Sequence, residues 1–130
     1  MESLNSPVGT LVVDDEADVR LLVRLGIDAH NKGLYVCGEA DSGPAALEMF
    51  TGTFPDVVVL DQMMPGMDGL ETTAHIRQIA PDVRIVLFSA FLDHDLEELA
   101  ARAGVSACLL KSHASELPPL LLDVARRPAS

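Results

Sequence analysis

Five polar residues that could carry metal and phosphate chemistry each stand at the carboxyl end of a short apolar run. They are Asp14, Asp15, Asp61, Ser89 and Lys111. The runs are rich in β-branched residues, which is typical of parallel strands buried on both faces. In open α/β sheets, ligands bind at the carboxyl ends of the strands. If the runs are neighbouring parallel strands, these carboxylates, the hydroxyl and the ammonium meet at one sheet edge, which predicts a magnesium and phosphoryl site.

Strand and helix patterns alternate five times along the 130 residues. The predicted strands are residues 11–13, 34–38, 57–60, 84–88 and 107–110. The predicted helices are residues 17–30, 43–50, 70–79, 93–103 and 115–126. Ser42 and Ser115 are the expected N-caps of the second and fifth helices, and Asn31-Lys32-Gly33 is expected to end the first. Helical spacing groups Val19, Leu22, Val23 and Ile27 in the first helix, and it predicts that Leu96, Leu99 and Ala100 face inward in the fourth.

Alternating strands and helices predict an α/β fold, a single doubly wound (βα)5 domain with a five-stranded parallel sheet and helices on both faces. Periodicity alone does not give the strand order. The order 2-1-3-4-5 is one of two common choices, and it places the ends of the first, third and fourth strands side by side. We expect the domain to span residues 8–127, after a disordered polar leader at residues 1–7.

Composition excludes several classes of function. The formal net charge of −11 argues against direct nucleic acid binding, which needs clustered Lys and Arg. The sequence contains no run of eighteen apolar residues, so we expect no membrane span. Cys37 and Cys108 fall in separate predicted strands, which favours reduced thiols and a cytoplasmic location.

Each candidate residue also has an ordinary structural interpretation. Asp14-Asp15-Glu16 could be a solvated loop before a helix, Ser89 a turn residue, and Lys111 a surface lysine. If the carboxylates lie within about 4–6 Å of one another, however, each like-charged pair costs on the order of 4 kcal/mol at an effective dielectric constant of 20. Such a group either keeps protons or recruits a cation, and Mg²⁺ prefers oxygen ligands of this kind. No Cys or His set accompanies the acids, which excludes a structural zinc site.

Four segments together resemble the CheY-like receiver domains of two-component response regulators, and the resemblance covers about residues 8–127. These segments are Leu11–Glu16, Val57–Gly69, Ser89-Ala90 and Leu109–Lys111, and the Pro-Gly-Met-Asp-Gly loop that follows Asp61 is highly specific. The resemblance implies the 2-1-3-4-5 strand order and identifies Asp61 as the phosphoacceptor.

The resemblance also implies roles for the neighbouring positions. Asp15, Asp61 and the backbone carbonyl of Met63 would ligate Mg²⁺, with Asp14 acting mainly through a bound water. Ser89 occupies the Thr/Ser switch position, and Lys111 occupies the position of the phosphate-binding lysine. Gly66, Asp68 and Gly69 are expected to shape the loop rather than touch phosphate.

This chain departs from the family pattern at three places. Ser112 follows Lys111 where many members have a proline and a cis bond. Cys108 replaces the Tyr or Phe that commonly changes rotamer on activation, which leaves Phe91 as the nearest large side chain that could move. Met63 and Phe91 occupy two variable positions that, in the family, tune how fast the phosphoryl group is lost.

The function implied by the resemblance is a phosphorylation-operated switch. A histidine kinase or phosphotransfer protein would supply the phosphoryl group, and the domain would catalyse only its own phosphorylation and dephosphorylation. The family also allows a homodimer through the face formed by the fourth helix, fifth strand and fifth helix, and the chain is similar to NarL/FixJ-type receivers. An unphosphorylated adaptor with the receiver fold and an aspartyl-nucleophile phosphohydrolase are the alternatives. The hydrolase lacks support because Met63 stands where a second acid would be needed.

Overall fold

The computed structural model describes residues 6–30 and 32–128. Five strands alternate with five α-helices, and a short 3-10 helix, Lys111–Glu116, precedes the last of them. The strands are β1 (Val8–Val13), β2 (Leu34–Ala40), β3 (Val57–Leu60), β4 (Arg84–Ser89) and β5 (Ala107–Leu110). The helices are α1 (Ala17–His30), α2 (Gly43–Met49), α3 (Gly69–Ile79), α4 (His94–Ala103) and α5 (Leu117–Ala125).

The strands form one parallel sheet in the order β2-β1-β3-β4-β5, which confirms the predicted fold class and strand order. The order places β1, β3 and β4 side by side at the centre, so the residues that follow them meet at one edge. Cys37 in β2 and Cys108 in β5 lie on opposite outer strands, and both are free thiols, as predicted.

Alternate side chains of the central strands enter two separate cores, one on each face of the sheet. Val12, Val59 and Phe88 belong to the core covered by α1 and α5. Leu11 and Leu87 belong to the core on the opposite face, which α2, α3 and α4 cover. Because both faces are covered, the strands carry continuous apolar runs rather than an alternating pattern.

Several helix ends match the sequence predictions, and others do not. Ser42 Oγ accepts a hydrogen bond from the Ala45 N–H, as expected of the N-cap of α2. The Ser115 prediction is wrong, because residues 111–116 form the 3-10 helix and α5 begins after Glu116, which makes no side-chain cap. Two smaller differences are that β1 begins at Val8 and that β2 extends to Ala40.

The inward orientation predicted for Leu99 is also wrong. Leu99 is 53% exposed, because α4 buries only a narrow stripe centred on Ala100. Leu22 in α1 is likewise exposed, whereas Val23 and Ile27 are buried as their spacing predicted. Most of the predicted leader, residues 1–5, and Asn31 in the predicted end of the first helix lie outside the described residues.

Within the described ranges, every helix is too short or too polar to cross a membrane.

Candidate functional site

The structure brings Asp14, Asp61 and Lys111 into direct contact at the carboxyl edge of the sheet. Asp14 directly follows β1, Asp61 follows β3, and Lys111 follows β5. Lys111 Nζ lies 2.8 Å from Asp14 Oδ2 and 3.2 Å from Asp61 Oδ1. Residues separated by nearly a hundred positions therefore share one ion-paired cluster, as the fold class predicted.

The carboxylates of Asp14 and Asp61 are almost fully buried, with 2% and 3% of the residue exposed. Burial, followed by repulsion from Asp14, raises the pKa of Asp61, and Lys111 offsets only part of that rise. Burial by itself would lower the pKa of Lys111, but its hydrogen bonds and charge interactions with the two acids raise the pKa overall. Lys111 therefore stays protonated, and one ammonium serves two carboxylates.

A group of acidic oxygens lies beside this cluster. Ligand atoms of Asp14, Asp15 and Glu16 come within 4.8 Å of one another, with Asp14 buried and the other two exposed. The Glu16 N–H donates to Asp14 Oδ1 at 2.9 Å, which fixes the turn between β1 and α1. Oxygen donors and surplus negative charge next to a buried acid fit a hard divalent cation such as Mg²⁺.

The backbone around Asp61 is held by Gln62 and Gly69. The Gln62 carbonyl accepts a hydrogen bond from the Gly69 N–H, and Gln62 Oε1 accepts one from the Leu70 N–H at 2.9 Å. A Cβ on Gly69 would lie 2.5 Å from the Asp61 carbonyl oxygen, so only glycine permits this close approach. Gly69 therefore sets where the chain turns after Asp61, consistent with its predicted role in the loop.

The rest of this loop is fixed by turn and cap geometry. Gly66 adopts a positive φ of 79°, which favours glycine. Asp68 and Glu71 form a capping box at the start of α3. Gly66 and Asp68 thus shape the loop, as the family resemblance implied.

The remaining candidates lie at different depths around the cluster. Ser89 ends β4, is fully buried, and its Oγ accepts a hydrogen bond from the Phe91 N–H at 3.3 Å. Met63 is 72% exposed and Phe91 is 61% exposed. The Met63 N–H donates to Asp61 Oδ1 at 3.4 Å. Cys108 lies within β5, packed against the α2–α3–α4 core and away from the cluster.

The bond between Lys111 and Ser112 is trans, since no cis peptide occurs in the part of the chain that the structure describes. Lys111 thus reaches both acids without the cis geometry that a proline at position 112 would favour. This settles the local geometry that the Lys-Ser sequence left open.

Sequence reasoning did not identify two groups that support the site, Arg20 and Gln62. Arg20 Nη1 donates to the Asp14 carbonyl oxygen at 2.6 Å, and Arg20 Nε lies 3.4 Å from Glu39 Oε1. Arg20 stands six residues after Asp14 and five after Asp15, near the start of α1, which was the available signal. Its partner Glu39 comes from a strand distant in sequence, so that pairing could not be anticipated.

Comparison with known proteins gives a consistent picture. The family model for the response regulator receiver domain matches residues 10–119. The transcriptional activator protein ExaE of Pseudomonas putida is 36% identical over 124 residues, which cover 92% of this chain and 54% of ExaE. A NarL transcriptional regulatory protein of Mycobacterium tuberculosis is 40% identical over 92 residues, covering 70% of this chain and 43% of NarL.

Solved structures agree with these sequence matches. The signal receiver domain of NarL from Mycobacterium tuberculosis superimposes with a TM-score of 0.85 at 35% identity, covering 95% of this chain and 99% of that domain. The chain spans about half the length of the curated relatives it matches. The similarity to those relatives therefore concerns their receiver portion.

Proposed function

The chain belongs to the response regulator receiver domain family, and on that premise we propose that Asp61 accepts a phosphoryl group in a magnesium-dependent reaction. The observation that supports this most directly is the geometry of the Asp61 carboxylate. It is buried at the end of β3, its Oδ1 contacts Lys111, and a group of acidic oxygens stands next to it. A buried carboxylate with an ammonium partner and a cation site is suited to receive phosphate.

The two oxygens of Asp61 have different surroundings. Oδ1 contacts Lys111 Nζ and accepts from the Met63 N–H, whereas among the described residues no hydrogen bond is made to Oδ2. We therefore assign Oδ2 as the attacking oxygen. In the transfer, a bond forms between Oδ2 and phosphorus while the nitrogen–phosphorus bond of a phosphohistidine breaks, and the released imidazole nitrogen takes a proton from solvent.

Catalysis in this site rests on position and charge. Lys111 neutralises charge on the transferring group, and the buried setting strengthens that interaction. Asp15, Asp61 and the carbonyl of Met63 would hold the ion, with Asp14 acting through water. A bound Mg²⁺ would supply further charge neutralisation to the phosphoryl oxygens.

The product would act as a conformational switch. An aspartyl phosphate adds about −1.5 to −2 charge by analogy with other phosphorylated side chains. Ser89, on the neighbouring strand end, would turn its hydroxyl toward the new phosphoryl oxygens and give up its contact with the Phe91 N–H. Moving a two-state equilibrium from 1:99 to 99:1 takes about 5.5 kcal/mol, which a few charge-assisted hydrogen bonds in a dry site could supply.

Family membership points to the donor and the setting. The donor would be a histidine kinase or a phosphotransfer protein, and the setting would be the cytoplasm, where the free thiols Cys37 and Cys108 stay reduced. We take residues 8–127 as the receiver domain. We also propose a homodimer through the face formed by α4, β5 and α5, or a similar face.

Incubation with acetyl phosphate and Mg²⁺, followed by intact mass measurement, tests this function. We expect one phosphoryl adduct on the wild-type chain and on Asp82→Asn, which alters an exposed acid in the turn before β4. We expect no adduct on Asp61→Asn. Failure to label the folded wild type would favour the adaptor, and sustained release of phosphate from many substrates would favour the hydrolase.

A further inference from the structure

Arg20, in the first turns of α1, holds the peptide bond that joins the two acids at the end of β1. Its Nη1 donates to the Asp14 carbonyl oxygen at 2.6 Å, and this carbonyl belongs to the same peptide as the Asp15 N–H. The carboxylate of Asp14 is separately held by Lys111 and by the Glu16 N–H. Arg20 therefore fixes the orientation of the Asp14–Asp15 peptide, to which the Cα atom of Asp15 is bonded.

Glu39, near the end of β2, orients Arg20. Glu39 Oε1 lies 3.4 Å from Arg20 Nε, and Glu39 Oε2 pairs with Arg24 Nη1 one turn further along α1. Arg20 thus uses two nitrogens of its planar fork, Nη1 in a hydrogen bond to the Asp14 carbonyl and Nε in an ion pair with Glu39, and a lysine could not reproduce this geometry. The Glu39 carboxylate also neutralises part of the positive charge that Arg20 brings close to the acids.

The positive charge of Arg20 does not by itself favour magnesium binding at the neighbouring acids. A guanidinium beside a cation site repels the cation, so its removal should tighten magnesium binding if charge were its only effect. A purely structural role, tying α1 to β2, is shared by Arg24, which pairs with the same glutamate but, within the described part of the chain, makes no hydrogen bond or ion pair with Asp14. What Arg20 does that Arg24 does not is fix the Asp14 carbonyl.

We propose that Arg20 is a positioning residue for magnesium, because it fixes the Asp14–Asp15 peptide so that both carboxylates are presented together to the cation. The proposal rests on the proposed function, since it takes Mg²⁺ as the ion that these acids bind. It assigns Glu39 the role of holding Arg20 in place.

Calorimetric titration with Mg²⁺ alone tests the role of Arg20. Loss of a residue that orients a metal ligand typically weakens affinity about tenfold or more, and we expect a loss of about tenfold for Arg20→Met. Arg24→Met, the matched control, removes an equal charge from the same helix and should bind Mg²⁺ with an affinity close to that of wild type. Arg20→Lys keeps one donor but not the fork, so its affinity should lie between those of wild type and Arg20→Met.

A second readout separates positioning from general damage. The Mg²⁺ concentration that half-saturates labelling by acetyl phosphate should rise in Arg20→Met, while the labelling rate at saturating Mg²⁺ stays close to that of Arg24→Met. If Arg20→Met does not fold, Arg20→Lys compared with Arg24→Lys carries the same test, with weaker binding expected only in the former.

Magnesium binding by an Arg20 variant that equals or exceeds that of its Arg24 counterpart would overturn the positioning role. A wild-type protein that binds no Mg²⁺ would instead overturn the proposed function, together with any role that depends on it. Normal wild-type labelling with equal affinities in the paired variants would overturn only the role of Arg20.

Discussion

Lys111 holds two buried carboxylates, Asp14 and Asp61, with a single ammonium. Separate elements deliver the three groups, so their contact depends on the whole sheet rather than on any local sequence. Two buried carboxylates and one ammonium leave surplus negative charge at this edge of the sheet. That surplus is what makes the site receptive to a divalent cation, and it also makes the ionised site costly for the folded protein.

The cost can be measured through Asp61→Asn. Because burial and Asp14 raise the pKa of Asp61, the folded protein binds this proton more tightly than the unfolded chain does. The ionised Asp61 carboxylate therefore destabilises the fold fully above the folded-state pKa of Asp61. This destabilisation disappears as the pH falls toward 3.8, the ordinary pKa of an aspartate. Without Mg²⁺, we expect Asp61→Asn to raise the melting temperature at neutral pH by a few degrees, with the gain shrinking on acidification.

Thermal melts across this pH range check the sign, with Asp82→Asn as the control on an exposed acid. A fall in melting temperature for Asp61→Asn that is largest at neutral pH and shrinks on acidification would show instead that the ionised carboxylate stabilises the fold.

Lys111→Ala should separate phosphorylation from metal binding. Removing the ammonium takes away charge neutralisation on the transferring group, so we expect labelling by acetyl phosphate to slow by at least about tenfold. Magnesium affinity should hold or increase, because the acids lose a competing cation. The control is Lys32→Ala, which changes the only other lysine of the chain, an exposed one. Tenfold weaker magnesium binding in Lys111→Ala would contradict the assignment.

The two ends of helix α4 differ in their contacts: the carboxyl end is bound by a side chain of another helix, and the amino end has a local cap. Arg77 Nε and Nη2 donate to the Gly104 carbonyl oxygen at 3.2 and 2.7 Å, just past the carboxyl end of α4. At the amino end, the cap is local, with the Leu96 N–H donating to Asp93 Oδ1. A signal that leaves through Ser89 would therefore move the start of α4 more readily than its end.

Hydrogen exchange with and without beryllofluoride, a phosphoryl mimic, tests this difference between the two ends. We expect protection to change over residues 89–96 and to stay constant around Gly104, with no change in Asp61→Asn. Changes confined to the surroundings of Asp61 would mean that the β4–α4 loop does not transmit the signal.

The strands and the carboxyl-edge cluster were predictable because apolar runs followed by single polar residues are a strong local signal. Leu99 was mispredicted because helical spacing defines a face without telling how much of that face is covered. Ser115 was mispredicted because the chain already turns into a 3-10 helix at Lys111, so that residue 115 lies inside a helix rather than before one. The Arg20–Glu39 and Arg77–Gly104 contacts depend on tertiary placement, which the spacing of residues does not encode.

The whole molecule is organised around one edge of its sheet. Both cores consist mainly of aliphatic side chains packed on the five strands, and the proposed chemistry involves residues that follow those strands. The formal net charge is −11, and we expect a signal received at Asp61 to leave by a change of shape. Everything in this scheme depends on Asp61 being the acceptor.

The most direct test is to locate the phosphoryl group by chemistry. The protein is labelled with acetyl phosphate and Mg²⁺, treated with borohydride, which reduces an aspartyl phosphate to homoserine, and sequenced by tandem mass spectrometry. We predict homoserine at position 61, and aspartate unchanged at positions 14 and 15. Homoserine at position 14 or 15 with Asp61 intact, or a stable adduct on another residue type, would contradict the assignment of Asp61 as the phosphoacceptor.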